Sequence, residues 1–253
     1  MRMVRMNEKI YNLTVDEIME SIIGVTAPIG FSEKEIHKYE ERLHITLPER
    51  YQRYLRTYGQ ADINQMHNHL FTPEEILTSY QCIEKEIAYM GFQNMSDEEL
   101  KKYAEDEYYR LYLLPKEEWH TITKNYVLIW CENQGVWNAG YLFEDLKNGV
   151  QNPPIYMTDD DDYISFIRVY ENTENFLMEM LGQAMWGDIL QGTGEIDNFL
   201  EQNGIDKIKL QKKIEIINQD NEFYMGNCWD KNKQQFYFYY SFVNCQQLVI
   251  KSL

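Results

Sequence analysis

No stretch of the 253-residue chain stays apolar long enough to span a bilayer, and 26% of its residues are charged, which argues against a membrane protein. The opening "MRMVRMNEKIYNL" is basic but lacks the apolar block of a secretory signal, so the cytosol is the expected compartment. Cysteine is sparse. Cys82, Cys131, Cys228 and Cys245 are widely spaced and form no C-x-x-C pair, which removes zinc ribbons and dithiol redox motifs and leaves buried free thiols as the expectation. Hydrolytic and phosphate-binding signatures are also missing: there is no G-x-S-x-G, no H-E-x-x-H and no Gly-rich phosphate loop. An enzyme stays open only because a site can be assembled from residues remote in sequence. Positive charge is short, with 24 basic against 41 acidic residues and a net charge of −17. That field repels a phosphate backbone, which disfavours nucleic acid, and steers a basic protein toward the surface.

Helix starts are legible. Ser32-Glu33-Lys34-Glu35 is a capping box, with Phe31 and Ile36 placed as a hydrophobic staple. The same box is predicted at Thr14–Glu17, at Thr72–Glu75 with Pro73 in the first helical position, and at Ser96–Glu99. A further helix is expected from Pro48, with Tyr51, Tyr54, Leu55 and Tyr58 on one face and Gly59 as a left-handed stop. Leu47, preceding the proline, is held out of the helical region.

After Pro115 the texture changes. "VLIWC" (127–131) reads as a strand buried on both faces. Asn133-Gln134-Gly135 supplies turn chemistry, its amides expected to bond to the backbone. The return arm sets Trp137, Ala139, Tyr141 and Phe143 on one side, giving a hairpin. Extended pieces follow at "IYM" and "YISFIRVY", then a helix with Phe176, Leu177, Met180, Leu181, Ala184 and Met185 on its apolar side. "LQGTG" (190–194) reads as a joint. Beyond it come a short helix stopped at Asn203-Gly204 and a small meander of strands that extends or flanks the main sheet.

Three motifs invite chemistry. Asp159-Asp160-Asp161-Asp162 could hold a hard cation, but the EF-hand spacing is absent, and a solvated turn or an acidic contact patch is the expected role. His67-Asn68-His69 has no companion carboxylate motif, so no metal is expected there. The aromatics Phe236 to Tyr240 lack the cationic groove that a base-stacking platform needs, and read as core or sheet surface.

Four segments, in order, resemble the SUKH superfamily in its Smi/Knr-type branch: "SEKEIHKYEERLHITLPERYQRYLRTYG", "LFTPEEI", "VLIWCENQGVWNAGY", and "NPPIYMTDDDD" followed by "ENFLMEML". The resemblance spans roughly residues 14–187. It implies an α+β fold, with helices packed against a mostly antiparallel sheet. On that reading residues 14–190 are the SUKH-like domain, about 81–118 a charged helical insertion, and 191–253 a C-terminal helix-plus-strands extension. It also implies a binding role without cofactor, metal or catalytic residues: an immunity protein for a basic toxin domain, often a nuclease, or alternatively an intracellular regulatory scaffold. The expected contact residues are Glu132 and Trp137 at a groove rim, beside Asp159, Asp160, Asp161 and Asp162. The oligomeric state is left open.

Overall fold

The computed structural model describes residues 8–66, 68–105, 109–158, 165–185, 187–214, 223–242 and 245–253. His67 and the four aspartates Asp159 to Asp162 lie outside them. The chain enters through β1 (Lys9–Tyr11). Reciprocal capping then opens α1 (Val15–Ile18) between Thr14 and Glu17, and α2 (Glu33–Leu43) between Ser32 and Glu35. Each box satisfies two amides that a helix start leaves orphaned. α3 (Glu49–Tyr58) follows Pro48 directly and buries Tyr51, Tyr54, Leu55 and Tyr58.

Gly59 is not the left-handed stop expected of it, because its φ is −57°. Glycine is required there for space: a Cβ would stand 2.5 Å from the Leu55 carbonyl oxygen and 2.7 Å from the Phe31 ring. The helix predicted at Thr72 is also corrected. Glu75 does accept from the Thr72 amide at 2.8 Å, but the chain makes one turn and becomes extended. After β2 (His69–Leu70), the short β3 (Leu77–Thr78) pairs with a later strand, and that tertiary pairing ends the turn. The helix begins further on as α4 (Ser79–Met90), capped by Thr78 and Gln81. α5 (Asp97–Ala104) opens on the expected Ser96–Glu99 box, and α6 (Arg110–Leu113) completes the helical excursion. Ile83 of α4 and Leu111 and Tyr112 of α6 gather a small core of their own with Phe92 and Trp119, which lie on short helical turns after α4 and after α6.

β4 (Tyr126–Cys131), β5 (Asn138–Leu142), β6 (Ile155–Thr158) and β7 (Phe166–Tyr170) form an antiparallel sheet in the order β2-β4-β5-β6-β7, with β3 also on β4. The short α7 (Phe143–Lys147) bridges β5 and β6. α8 (Thr173–Ala184) follows β7, and the six apolar residues assigned to its core side are buried. A second antiparallel sheet then assembles from β8 (Asp188–Gln191), β9 (Lys212–Ile214), β10 (Phe223–Asp230), β11 (Gln235–Phe242) and β12 (Cys245–Ser252). Its order is β1-β10-β11-β12-β8, with β9 also on β10. Thus β9 and β1 lie end to end along β10, and the N-terminal strand is held there by a buried Lys9–Asp230 ion pair of 3.2 Å.

α8 touches both sheets. Its Thr173 hydroxyl bonds the Tyr141 hydroxyl of β5 at 2.9 Å, and Phe176 meets Trp130 of β4 edge to face. On the other side, a Cβ on Gly182 would stand 2.0 Å from the Phe238 ring of β11. One core therefore runs through Tyr51, Val127, Ile129, Tyr141, Leu177, Phe236 and Phe238. Strand alternation turns Tyr237 and Tyr239 to the opposite face, where α9 (Thr193–Gln202) and α10 (Lys207–Leu210) cover them with Ile196, Leu200 and Leu210. The aromatic run is sheet core on both faces. The architecture is α+β. The four cysteines form no disulfide, but they are not uniformly buried as expected: only Cys228 is, and Cys245 is exposed where β12 begins at the sheet's end.

Candidate protein-binding site

The β4–β5 hairpin owes its shape to a bulge. Leu128 pairs with Gly140 and Trp130 with Ala139, which leaves Ile129 as the extra residue. Ile129 and Trp130 therefore both reach the core, and Cys131 turns to the other face opposite Asn138. At the tip, the Glu132 amide donates to the Trp137 carbonyl at 2.8 Å and the Gly135 amide donates to the Glu132 carbonyl at 2.8 Å. Gly135 takes the left-handed conformation that this turn needs, with φ 76°. The side chain that closes the loop is the carboxylate of Glu132, which accepts from the Gln134 amide at 2.8 Å, rather than the amides of Asn133 or Gln134.

The tip is tied to the core by a chain of bonds that no local pattern of residues foretells. The Asn133 amide donates to Asn68 Oδ1 (3.3 Å), Asn68 Nδ2 to Gln183 Oε1 (3.1 Å), and Gln183 Nε2 to the buried Glu179 (2.9 Å). Asn68 and Gln183 stand 115 positions apart, and only the fold joins them. Held this way, the hairpin presents Trp137, whose surface is 48% exposed. Glu132 and Trp137 are thus brought together. On the aspartate side, the described chain stops at Thr158, whose hydroxyl accepts from the Asn138 amide at 2.8 Å, next to Trp137 in the chain.

Acid–base chemistry at the hairpin is constrained. His69 lies opposite Cys131 across β2 and β4, and its Nε2 stands 3.1 Å from Glu75. A histidine, a carboxylate and a thiol therefore meet on one face. Burial, reinforced by Glu132 and Glu75, pushes the Cys131 thiol up to about 11, so it stays protonated near neutrality and is a poor nucleophile. Among the described residues no group of three or more His, Cys, Asp or Glu side chains is placed to hold a metal ion. Nor is any described helix long and apolar enough to cross a membrane. A separate cleft of about 400 Å³, lined by Met95, Glu99, Lys102, Tyr103 and Tyr109, lies in the helical excursion and includes none of the expected contact residues.

No curated protein and no solved structure gives a match to the chain. The family model SUKH_6, described as SMI1-KNR4 cell-wall, matches residues 33–177, from the start of α2 into α8. That span exceeds half the chain and contains the whole hairpin, and the chain belongs to the SUKH superfamily.

Proposed function

We propose that this chain acts by binding rather than by catalysis, as an immunity protein that occludes a basic toxin domain. The observation that carries the reading is Trp137, an aromatic 48% exposed on a hairpin whose tip is pinned to the core. Tryptophan is among the side chains most often found to dominate an interface, because it brings a large rigid surface at low entropic cost. The chain as a whole has a net charge of −17, suited to drawing in a cationic surface and repelling acidic ones. Superfamily membership supports a binding module of the immunity or regulatory kind.

Co-expression with the product of the adjacent gene tests the proposal. A stable complex that abolishes the toxicity of that product is the expected result. Trp137→Ala is expected to weaken the complex by about 2 kcal/mol, roughly thirtyfold, without shifting the melting temperature. A complex of unchanged affinity would remove Trp137 from the interface. Absence of any complex would favour a regulatory scaffold over an immunity role.

A further inference from the structure

The second sheet has two unlike edges. Along β10 the border is broken between β9 and β1, and β9 carries the exposed Lys212 and Lys213. Interruption and lysine are the usual means of refusing another strand. β8 has neither device. The Gly192 amide donates to the Gln246 carbonyl at 3.1 Å, and the same register pairs Leu190 with Leu248 and Asp188 with Ile250. In an antiparallel ladder the alternate residues face away, so Ile189 and Gln191 direct their N–H and C=O groups outward. Among the described residues no strand occupies that side. The Ile189 side chain is 55% exposed. Across β8 and β12 the charged residues are Asp188 and Lys251, which leaves this strip neutral on a strongly acidic molecule.

We propose that β8 is the docking edge for a second copy of this chain, added antiparallel about a twofold axis so that the sheet continues from one copy into the other. Charge selects this occupant. A basic partner is drawn to the acidic faces, whereas an equally acidic copy meets least repulsion at the neutral strip. The strand is also self-complementary. Pairing centred on Leu190 sets Ile189 of each copy against Gln191 of the other in hydrogen-bonded pairs, and places Asp188 opposite Gly192 instead of its own counterpart.

Sedimentation equilibrium of the full chain, up to roughly 0.5 mM as suits a small interface, is the test. The expected result is a reversible monomer–dimer equilibrium that tightens with added salt, because screening removes the repulsion between like-charged copies. Ile189→Lys places a charge on the edge, and Gln191→Pro removes an outward donor. Each is expected to weaken the dimer roughly tenfold or more at an unchanged melting temperature. Ile208→Lys, at a residue 86% exposed on α10, is the control and should leave the dimer intact. A single monomeric species at every concentration and salt would overturn the proposal. So would a dimer that is as tight in both edge variants as in the unaltered chain.

Discussion

Glu40 shows how one buried carboxylate can organise a corner. Its Oε1 accepts from the Leu47 amide at 2.7 Å and from Gln52 Nε2 at 2.9 Å, and its Oε2 meets His37 Nδ1 at 2.8 Å. Leu47 is fixed in extended backbone by the following proline, and a buried amide there needs an acceptor. The proline was readable in the sequence, but the acceptor was not, because nothing local marks Glu40 apart from the acids around it on α2. Removing it leaves a buried N–H unmade, so Glu40→Ala is expected to destabilise the fold by about 1–3 kcal/mol, with a smaller loss for Glu40→Gln, which keeps one oxygen. Urea unfolding of the two variants measures the difference; equal stability of Ala and wild type would show that water replaces the carboxylate. At the surface, the capping acids make a pH prediction. The Ser32 hydroxyl and amide hold the Glu35 carboxyl below its ordinary value of 4.5. A carboxyl depressed in the folded state stabilises above its ordinary pKa, and that contribution is lost as pH falls through the lowered value. Ser32→Ala should therefore move the Glu35 titration upward, toward the ordinary carboxylate range, in a carbon-detected NMR titration.

Among the elements, helix starts were the most legible because capping chemistry is local: a hydroxyl and a carboxylate three residues apart bond without help from the rest of the fold. The box at Thr72 failed for the same reason seen from the other side. Its local bond forms, but β3 is recruited by β4 from far along the chain, and propensity yields to pairing. Glycine placement follows tertiary contact too. Gly182 lies inside α8, where glycine is about 1 kcal/mol worse than alanine on intrinsic grounds, yet the Phe238 ring occupies the place a Cβ would take. Gly182→Ala is expected to destabilise by about 1–3 kcal/mol through overpacking between helix and sheet. Gly194, in the first turn of α9, has no positive φ, and a Cβ added to it would meet nothing within 4 Å. Gly194→Ala should therefore stabilise by about 0.5 kcal/mol. Thermal melts of the pair check both signs, and a stabilised Gly182→Ala would mean that α8 and β11 can separate freely.

Across the whole molecule, the sequence carried the amount of charge and the order of strands but not which sheet each strand joins. β1 and β8 flank strands that lie far from them in the chain, and a three- or four-residue strand has no signature of its partner. The candidate site divides the same way: the hairpin was readable, whereas alternation put Trp137 on the side of the buried Ala139 and Tyr141, and neither its exposure nor the Asn68–Gln183–Glu179 bonds that anchor the tip could be read locally. Charge acts at a scale that sequence does capture, because a field summed over 41 acids against 24 bases depends little on where each sits. Steering by that field should show in association kinetics. With a basic partner, the on-rate is expected to fall steeply as ionic strength rises and the screening length shrinks below about 10 Å, while the off-rate changes little. Replacing Asp159 through Asp162 with asparagine should lower the on-rate at low salt and flatten its salt dependence, with thermal stability unchanged if the run only meets solvent and partner. Stopped-flow association at several salt concentrations separates the contributions. An on-rate that is flat across ionic strength in the unaltered chain would show that the net charge serves only solubility, and the hairpin tryptophan would then have to account for recognition through contact alone.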